Sequence, residues 1–319
     1  MIQDLISKLR NGDRNALARC ITWAESNKQG DQEAIHQVLG EILPLTGNSV
    51  RIGITGSPGV GKSTFIEVLG CLLTSLNKKV AVLSIDPSSP VTKGSILGDK
   101  TRMEKLSKDP LAFIRPSASR SFPGGVSHAT RESILLCEAA GFEIIMVETV
   151  GVGQSEYSVK EMTDCFLLLM LAGAGDELQG MKKGIMEMAD IIAITKADGD
   201  NLKKAQQACA EYQHALHLIR AEDEGWISKV ITCSALGLQG VEPVWELIAQ
   251  FIGHSKSVGG FEEKRNDQKV SWLQDQLNAH LRKQLMEKNS FGRKWDEAKE
   301  GLLKKQWTVF QAVDHILSA

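Results

Sequence analysis

The stretch Gly56-Ser57-Pro58-Gly59-Val60-Gly61-Lys62-Ser63-Thr64 decides how this chain must fold. It fits G-x-x-x-x-G-K-[ST], a phosphate-cradling loop that needs a strand before it and a helix after it. Both are present in the pattern. Val50 to Ile54 is an apolar run of strand length, and Phe65, Val68, Leu69, Leu72, Leu73 and Leu76 recur at helical spacing. The residue types supply the chemistry. Glycines let the backbone approach phosphate oxygens closely. Backbone N–H groups and the positive end of the following helix favour anions. The Lys62 amine is placed to reach the β and γ phosphates, and the Ser63 hydroxyl to ligate Mg²⁺.

Outward from Val50 the pattern alternates strand and helix, which predicts an α/β P-loop NTPase with a mostly parallel central sheet. Strands are expected at about 50–55, 79–85, 112–115, 144–148, 165–171, 191–195 and 230–233. Their Val, Ile and Leu content suits strands covered on both faces. Ligands of such sheets bind beyond the carboxyl ends of the strands. Asp86, before Pro87, leaves the second strand there, and Asp99 follows in a polar loop. Both are candidate Mg²⁺ ligands, although an aspartate before proline also simply starts a turn. Glu148-Thr149-Val150-Gly151 leaves the fourth strand as the second phosphate-sensing loop of P-loop GTPases does, with Glu in place of Asp. Glu148 is expected in the metal shell, and the Gly151 N–H against the γ-phosphate. Residues 173–184, polar and hinged by glycines, are either a solvated connector or a moving part.

Thr195-Lys196-Ala197-Asp198 resembles the guanine-specifying Asn-Lys-x-Asp, with Thr in the first place. The Asp198 carboxylate can accept from the guanine ring N–H and its amine together, a donor pair that adenine lacks. The Lys196 stem would cover the base face. Thr195 keeps one hydroxyl hydrogen bond in place of a two-ended amide. Ser234-Ala235-Leu236 resembles the loop whose backbone contacts the guanine carbonyl. GTP and GDP, with Mg²⁺, are therefore the expected ligands.

Composition narrows the classes. The chain has 319 residues, 42% of them hydrophobic, enough for a substantial core. A net charge of −2 gives no global basic field for nucleic acid. No apolar run is long enough to span a bilayer, and Met1-Ile2-Gln3-Asp4-Leu5 does not begin a secretory leader, so a cytoplasmic protein with no membrane partner is expected. Six scattered cysteines without a C-x-x-C read as free thiols. His214 and His217 share a helical face but have no third ligand nearby.

Residues 1–45 read as a helical segment. Leu5, Ile6 and Leu9 mark a first helix, a second begins near Arg14, and Asp31 is the expected cap of a third. The P-loop domain is expected over 46–252. Residues 253–260 read as a linker, within a helical C-terminal arm over 253–319. Trp272, Leu273, Leu277, Leu281, Trp295 and Trp307 on that arm need a partner surface, which favours homodimerisation over folding back.

These motifs, in this order, resemble one family: the MeaB/ArgK-type GTPases that chaperone methylmalonyl-CoA mutase. The carrying stretches are Gly56–Thr64, Asp86–Met103, Glu148-Thr-Val-Gly-Val-Gly-Gln-Ser-Glu156 and Asp176-Glu-Leu-Gln-Gly-Met-Lys-Lys-Gly184. The resemblance implies a Mg²⁺-dependent GTP hydrolase that gates delivery of adenosylcobalamin to an acyl-CoA mutase and protects that mutase. It implies a metal shell of Ser63, Asp86, Asp99 and Glu148. It makes 173–184 a third switch, in which Asp176 and Lys182 couple mutase binding to hydrolysis. This sequence departs from the family at Thr195 and in Ser-Arg-Ser-Phe-Pro-Gly-Gly over 119–125.

Rival readings lack their residues. A nickel-type metallochaperone GTPase needs a His-rich tract or a Cys pair. An ATP-using kinase or transport ATPase is opposed by Asp198. An inert structural dimer leaves the P-loop without a use. No Gln directly follows Gly151, where many GTPases orient their attacking water, so slow intrinsic turnover is expected.

Overall fold

The computed structural model describes residues 2–86, 103–118, 125–149, 155–173, 179–219, 225–236, 240–287 and 290–318. The side chains of 86, 117–118, 125–128, 155, 179–183 and 217–219 lie outside the description. Seven strands are present: β1 (Val50–Gly56), β2 (Val80–Asp86), β3 (Ala112–Ala118), β4 (Ile144–Thr149), β5 (Cys165–Leu171), β6 (Ile191–Thr195) and β7 (Lys229–Thr232). They form one sheet in the order β3-β2-β4-β1-β5-β6-β7. Every pairing is parallel. All seven sequence-expected strands are found. The weakest, expected to end at 115, continues to Ala118 beside β2. Because all strands run one way, their carboxyl ends share one edge. The chain order reverses beside β1, where a parallel sheet opens a crevice for ligands.

Side chains alternate across the sheet with the period of two that a strand imposes. On one face Ala81, Leu83, Ile85, Ile145 and Val147 meet Leu5, Leu9, Leu17, Ile21, Ile35 and Val38. Those last come from α1 (Ile2–Arg10), α2 (Arg14–Ala24) and α3 (Gln29–Ile42). On the other face Val80, Val82, Ile144 and Met146 share a core with Phe65, Leu69 and Leu73 of α4 (Lys62–Ser75). Asp13 caps α2, its Oδ1 accepting from the Ala16 N–H at 2.8 Å. The expected cap of α3 is not one. That helix begins at Gln29, its N-cap is Lys28, and no side chain caps it. Asp31 sits inside the first turn and accepts from the Ser26 hydroxyl at 2.5 Å. A carboxylate there still complements the helix dipole.

Further helices follow in order: α5 (Glu104–Ser107), α6 (Gly125–Ala139), α7 (Ser155–Lys160), α8 (Gln179–Met188), α9 (Leu202–Ile219), α10 (Glu242–Ser257), α11 (Gly260–Met286), α12 (Phe291–Leu303) and α13 (Val309–Leu317). No helix among the described residues is long and apolar enough to cross a membrane. All six cysteines are unpaired thiols, four of them buried.

The start of α11 staples the amino-terminal edge of the sheet. Arg265 is 4% exposed and meets Asp164, the residue before β5, through two hydrogen bonds of 2.8 and 2.7 Å. Its remaining N–H groups donate to the carbonyls of Gly47 and Ser49, just before β1. Asp164 Oδ2 also accepts the Arg51 N–H at 2.7 Å. Beside it, Glu138 of α6 takes Arg51 Nε at 2.9 Å and the Ser49 hydroxyl at 2.6 Å. Burial alone would raise the Glu138 pKa, but Arg51, Ser49 and the Gly47 N–H outweigh it and hold that pKa below the usual value. Contacts divide the chain into units Met1–Gln268 and Lys269–Ala319. The division falls inside α11, later than the break expected after residue 252, because Phe261, Arg265 and Gln268 are buried in the first unit. The short interval expected as a linker reduces to a turn between two helices, with Gly259 at φ +78°.

The second unit is held by a few contacts. Trp307 packs on Gly301, where a Cβ would lie 2.7 Å from the indole. Its ring centroid is 4.8 Å from that of His315, and His315 Nε2 is 2.8 Å from Glu297. Thr308 and Gln311 form a capping box at α13.

Removing one partner of a buried ion pair leaves the other charge uncompensated, which costs about 3–5 kcal/mol. Arg265→Ala is therefore expected to lower the urea-unfolding free energy by that amount. Lys8→Ala, which breaks the exposed Lys8–Asp4 pair, should leave the midpoint unchanged. Equal midpoints for wild type and Arg265→Ala would contradict this account of the edge.

Candidate nucleotide site

Chain direction brings the polar motifs to the carboxyl edge beside β1. Gly56 ends that strand at φ +151°, and a Cβ there would stand 2.4 Å from the Leu169 carbonyl oxygen of β5. Only glycine fits. The loop turns through Gly59 at φ +80° and Gly61 at φ +96°, then enters α4 at Lys62. No side chain caps α4, and the Phe65 N–H donates to the Gly61 carbonyl at 2.9 Å. The Val60 N–H donates to the Ser57 carbonyl at 3.2 Å, and Val60 is fully buried. Lys62 Nζ donates to the Gly56 carbonyl at 2.7 Å and lies 3.4 Å from that of Ser57. Burial lowers the pKa of this amine, while the Glu148 and Glu156 carboxylates push it back up.

The end of β4 meets the start of α4. Ser63 Oγ donates to Glu148 Oε1 at 3.2 Å, and Ser84 Oγ of β2 donates to Oε2 at 3.3 Å. Next to them the Thr149 and Thr55 hydroxyls are 2.7 Å apart and buried. A hydroxyl and a carboxylate in contact, with no thiolate or imidazole, form a hard-oxygen donor set. Mg²⁺ prefers such a set, and it commonly takes only one or two carboxylates while keeping several waters. The residues present therefore fit that ion.

The base-side motifs stand at the ends of β6 and β7. Thr195 closes β6, and Lys196 follows at φ +55°. Asn201 Nδ2 donates to the Lys196 carbonyl at 2.7 Å and braces the turn. The Ser234 hydroxyl donates to Asp198 Oδ2 at 2.6 Å, and the Leu236 N–H donates to Ser234 Oγ at 3.3 Å. Gly240 passes so close that a Cβ would be 2.0 Å from the Ser234 carbonyl oxygen. Ala235 is half-buried, and the Leu236 side chain is exposed.

The structure thus brings together Gly56 to Thr64 with Glu148, and Asp198 with Ser234. Asp99, Gly151 and Asp176 lie outside the described residues, as do the side chains of Asp86 and Lys182 and most of the 119–125 departure. Asp86 is described as the last residue of β2, its backbone in register with Ala118. The segment expected as a loop over 173–184 is helical from Gln179 onward. Two contributors had no role in the sequence reading. Ser84 holds the second oxygen of Glu148, and its signal is the parallel register that pairs Ser84 with Glu148. Glu156, 4% exposed on α7, has its pKa raised by burial and lowered in part by Lys62. Its signal is an acidic residue in the first turn of a short helix that follows a glycine loop.

A cavity of about 360 Å³ lies elsewhere, lined by Lys160, Glu161, Gly260, Glu263, Lys264, Asp267 and Gln268. Lys264 bonds the Asp164 carbonyl just before β5, which places this cleft near the amino edge. Its mixture of three carboxylates and two lysines does not make a phosphate cradle.

The chain is similar to proteins already grouped by sequence and structure. The family model for methylmalonyl Co-A mutase-associated GTPase MeaB matches residues 17–290. GTPase ArgK of Escherichia coli is 47% identical over 292 residues, which span 92% of this chain and 88% of the relative. The methylmalonic aciduria type A homolog of Mus musculus is 43% identical over 282 residues, spanning 85% of this chain and 68% of that protein. A solved structure titled LAO/AO transport system kinase superposes with a TM-score of 0.78 at 37% identity, covering 99% of this chain and 96% of its own. A P-loop fold whose relatives are named GTPases makes the chain a GTP hydrolase. With most of its length matched by one family model, the chain belongs to the MeaB family of methylmalonyl Co-A mutase-associated GTPases.

Proposed function

We propose that this GTPase acts as a nucleotide-gated chaperone of an adenosylcobalamin-dependent acyl-CoA mutase, delivering the cofactor and protecting the mutase. The observation that carries the nucleotide half of this reading is the Ser63–Glu148 contact beside the Lys62 amine, at the head of an uncapped helix. The β and γ phosphates of GTP take the place of the Gly56 and Ser57 carbonyls around Lys62. First-turn N–H groups of α4 donate to phosphate oxygens. Asp198, oriented by the Ser234 hydroxyl, accepts from the guanine edge. Ser63 and Glu148 would hold Mg²⁺, with Asp86 and Asp99 completing the shell, and the ion would supply charge compensation at the phosphoryl oxygens.

Lys62 offsets charge that develops on the transferring group as water attacks in line. Gly151 follows Glu148 closely in the chain, and contact of its N–H with the γ-phosphate distinguishes GTP from GDP. The segment containing Asp176 and Lys182 passes this state to the mutase. The mutase half rests on the family to which the chain belongs and on the relatives' names.

The second unit serves homodimerisation in this reading. Val270, Leu273, Leu277 and Leu281 repeat at helical spacing along α11, and each is more than half exposed. Trp295 and Phe310 are exposed as well. Apolar residues in such numbers favour burial against a second copy.

Three outcomes follow. Lys62→Ala should lower kcat/KM for GTP about 10²-fold or more, as loss of one transition-state donor does, and unchanged turnover would remove the P-loop from the mechanism. Adding the cognate mutase should raise the slow GTPase rate at least severalfold, and equal rates with each purified acyl-CoA mutase would sink the chaperone reading. Leu273→Glu with Leu277→Glu should convert a dimer to a monomer in sedimentation velocity at unchanged helicity; a wild-type profile would place the interface elsewhere.

A further inference from the structure

Thr195 stands where guanine-binding loops usually carry asparagine, and its side chain does not stand free for the base. It is 4% exposed. Its Oγ1 lies 2.8 Å from the Val60 carbonyl oxygen and 3.2 Å from that of Met170. A hydroxyl has one proton to donate, so it serves one carbonyl at a time, and the shorter contact is to the phosphate loop. Val60 is fully buried and lies between Gly59 and Gly61, both at positive φ. Its carbonyl is the loop's tie to β6. The other tie is the close approach of Gly56 to Leu169 of β5.

From these contacts we infer that Thr195 is a positioning residue for the phosphate loop, which leaves discrimination of the purine to Asp198 and Ser234 alone. Thr195 sets the Val60 peptide, and with it the N–H groups around Lys62, against the end of β6. One residue further along, the same strand end turns at Lys196 toward Asp198, whose carboxylate is held by Ser234 at 2.6 Å. The hydrogen-bond chain Val60–Thr195, then Asp198–Ser234, makes the phosphate and base pockets parts of one frame. An amide at position 195 could span loop and base together; the shorter hydroxyl serves the loop only. The inference rests on the guanine reading given above.

The test compares Thr195→Val, nearly isosteric but without the hydroxyl, with Thr195→Ser, which keeps it. Dissociation constants for GDP, IDP, XDP, ADP and tripolyphosphate would be measured by calorimetry, with thermal midpoints of the ligand-free proteins alongside. Losing one buried hydrogen bond corresponds to about a fivefold to tenfold change. Thr195→Val should weaken GDP and IDP by that factor while their ratio stays at the wild-type value, and Thr195→Ser should restore both. Wild-type affinity in Thr195→Val would overturn the inference, and so would a lowered thermal midpoint with unchanged nucleotide affinity. Weakened GDP in Thr195→Val with wild-type affinity for tripolyphosphate, which has no base, would likewise count against it, since the hydroxyl would then be reading the base. Asp198→Asn tests the underlying reading separately. It should move preference from GDP to XDP, and a retained GDP preference in that variant would refute the guanine assignment itself.

Discussion

Gly56 leaves β1 where a Cβ would stand 2.4 Å from the Leu169 carbonyl oxygen, and that steric limit organises the rest of the site. A side chain there would push β1 and β5 apart at the centre of the sheet. With glycine, the backbone turns tightly enough to start α4 directly above the strand. Lys62 and Ser63 then fall in the first turn of that helix, one against the Gly56 carbonyl and the other against Glu148 at the end of β4. The parallel direction of all strands brings Glu148 of β4, Asp198 after β6 and Ser234 after β7 to the same edge.

The two edges of the sheet carry different kinds of polar chemistry. At the amino edge, Arg265, Asp164, Glu138 and Arg51 are buried or nearly so, and their hydrogen-bonding groups face one another and the backbone. Such networks hold a unique arrangement once every member is satisfied. At the carboxyl edge the side-chain contacts of Glu148 are longer. Ser63–Glu148 is 3.2 Å and Ser84–Glu148 is 3.3 Å, against 2.7–3.1 Å for the Arg265–Asp164 and Arg51–Glu138 pairs. Weak contacts between groups that a cation and phosphates can take over are easily exchanged, and tightly paired ones are not.

Much of this was legible in the sequence, for reasons that can be named. Strand positions follow from apolar runs buried on both faces, and such runs are unambiguous when a helix of period 3.6 separates them. The pairings inside the site were legible where a motif carries its own geometry, as in Gly56 to Thr64 or in Asp198 with Ser234. The Arg265–Asp164 pair was not, because the partners are 101 residues apart and nothing local marks either of them. The same gap explains the boundary. A charged, polar helix start reads as a linker or arm until Arg265 is seen to reach the residues before β1 and β5. Asp31 misled for a different reason: several residues near Ser26 could begin α3, and a carboxylate in the first turn has the same composition signature as a cap.

Lys62 and Glu148 both have partners within the protein, and this bears on the nucleotide binding proposed above. Lys62 is partly desolvated, yet its amine is held by the Gly56 carbonyl and supported by two nearby carboxylates. The amine therefore need not be carried out of water when phosphate arrives. In the complex proposed above it exchanges a neutral carbonyl for an anionic oxygen, which adds charge attraction to a bond the ammonium already strengthens. Glu148 stands in the opposite position. Phosphate close to it is repelled unless a cation intervenes, which is the electrostatic ground for the Mg²⁺ proposed above at Ser63 and Glu148.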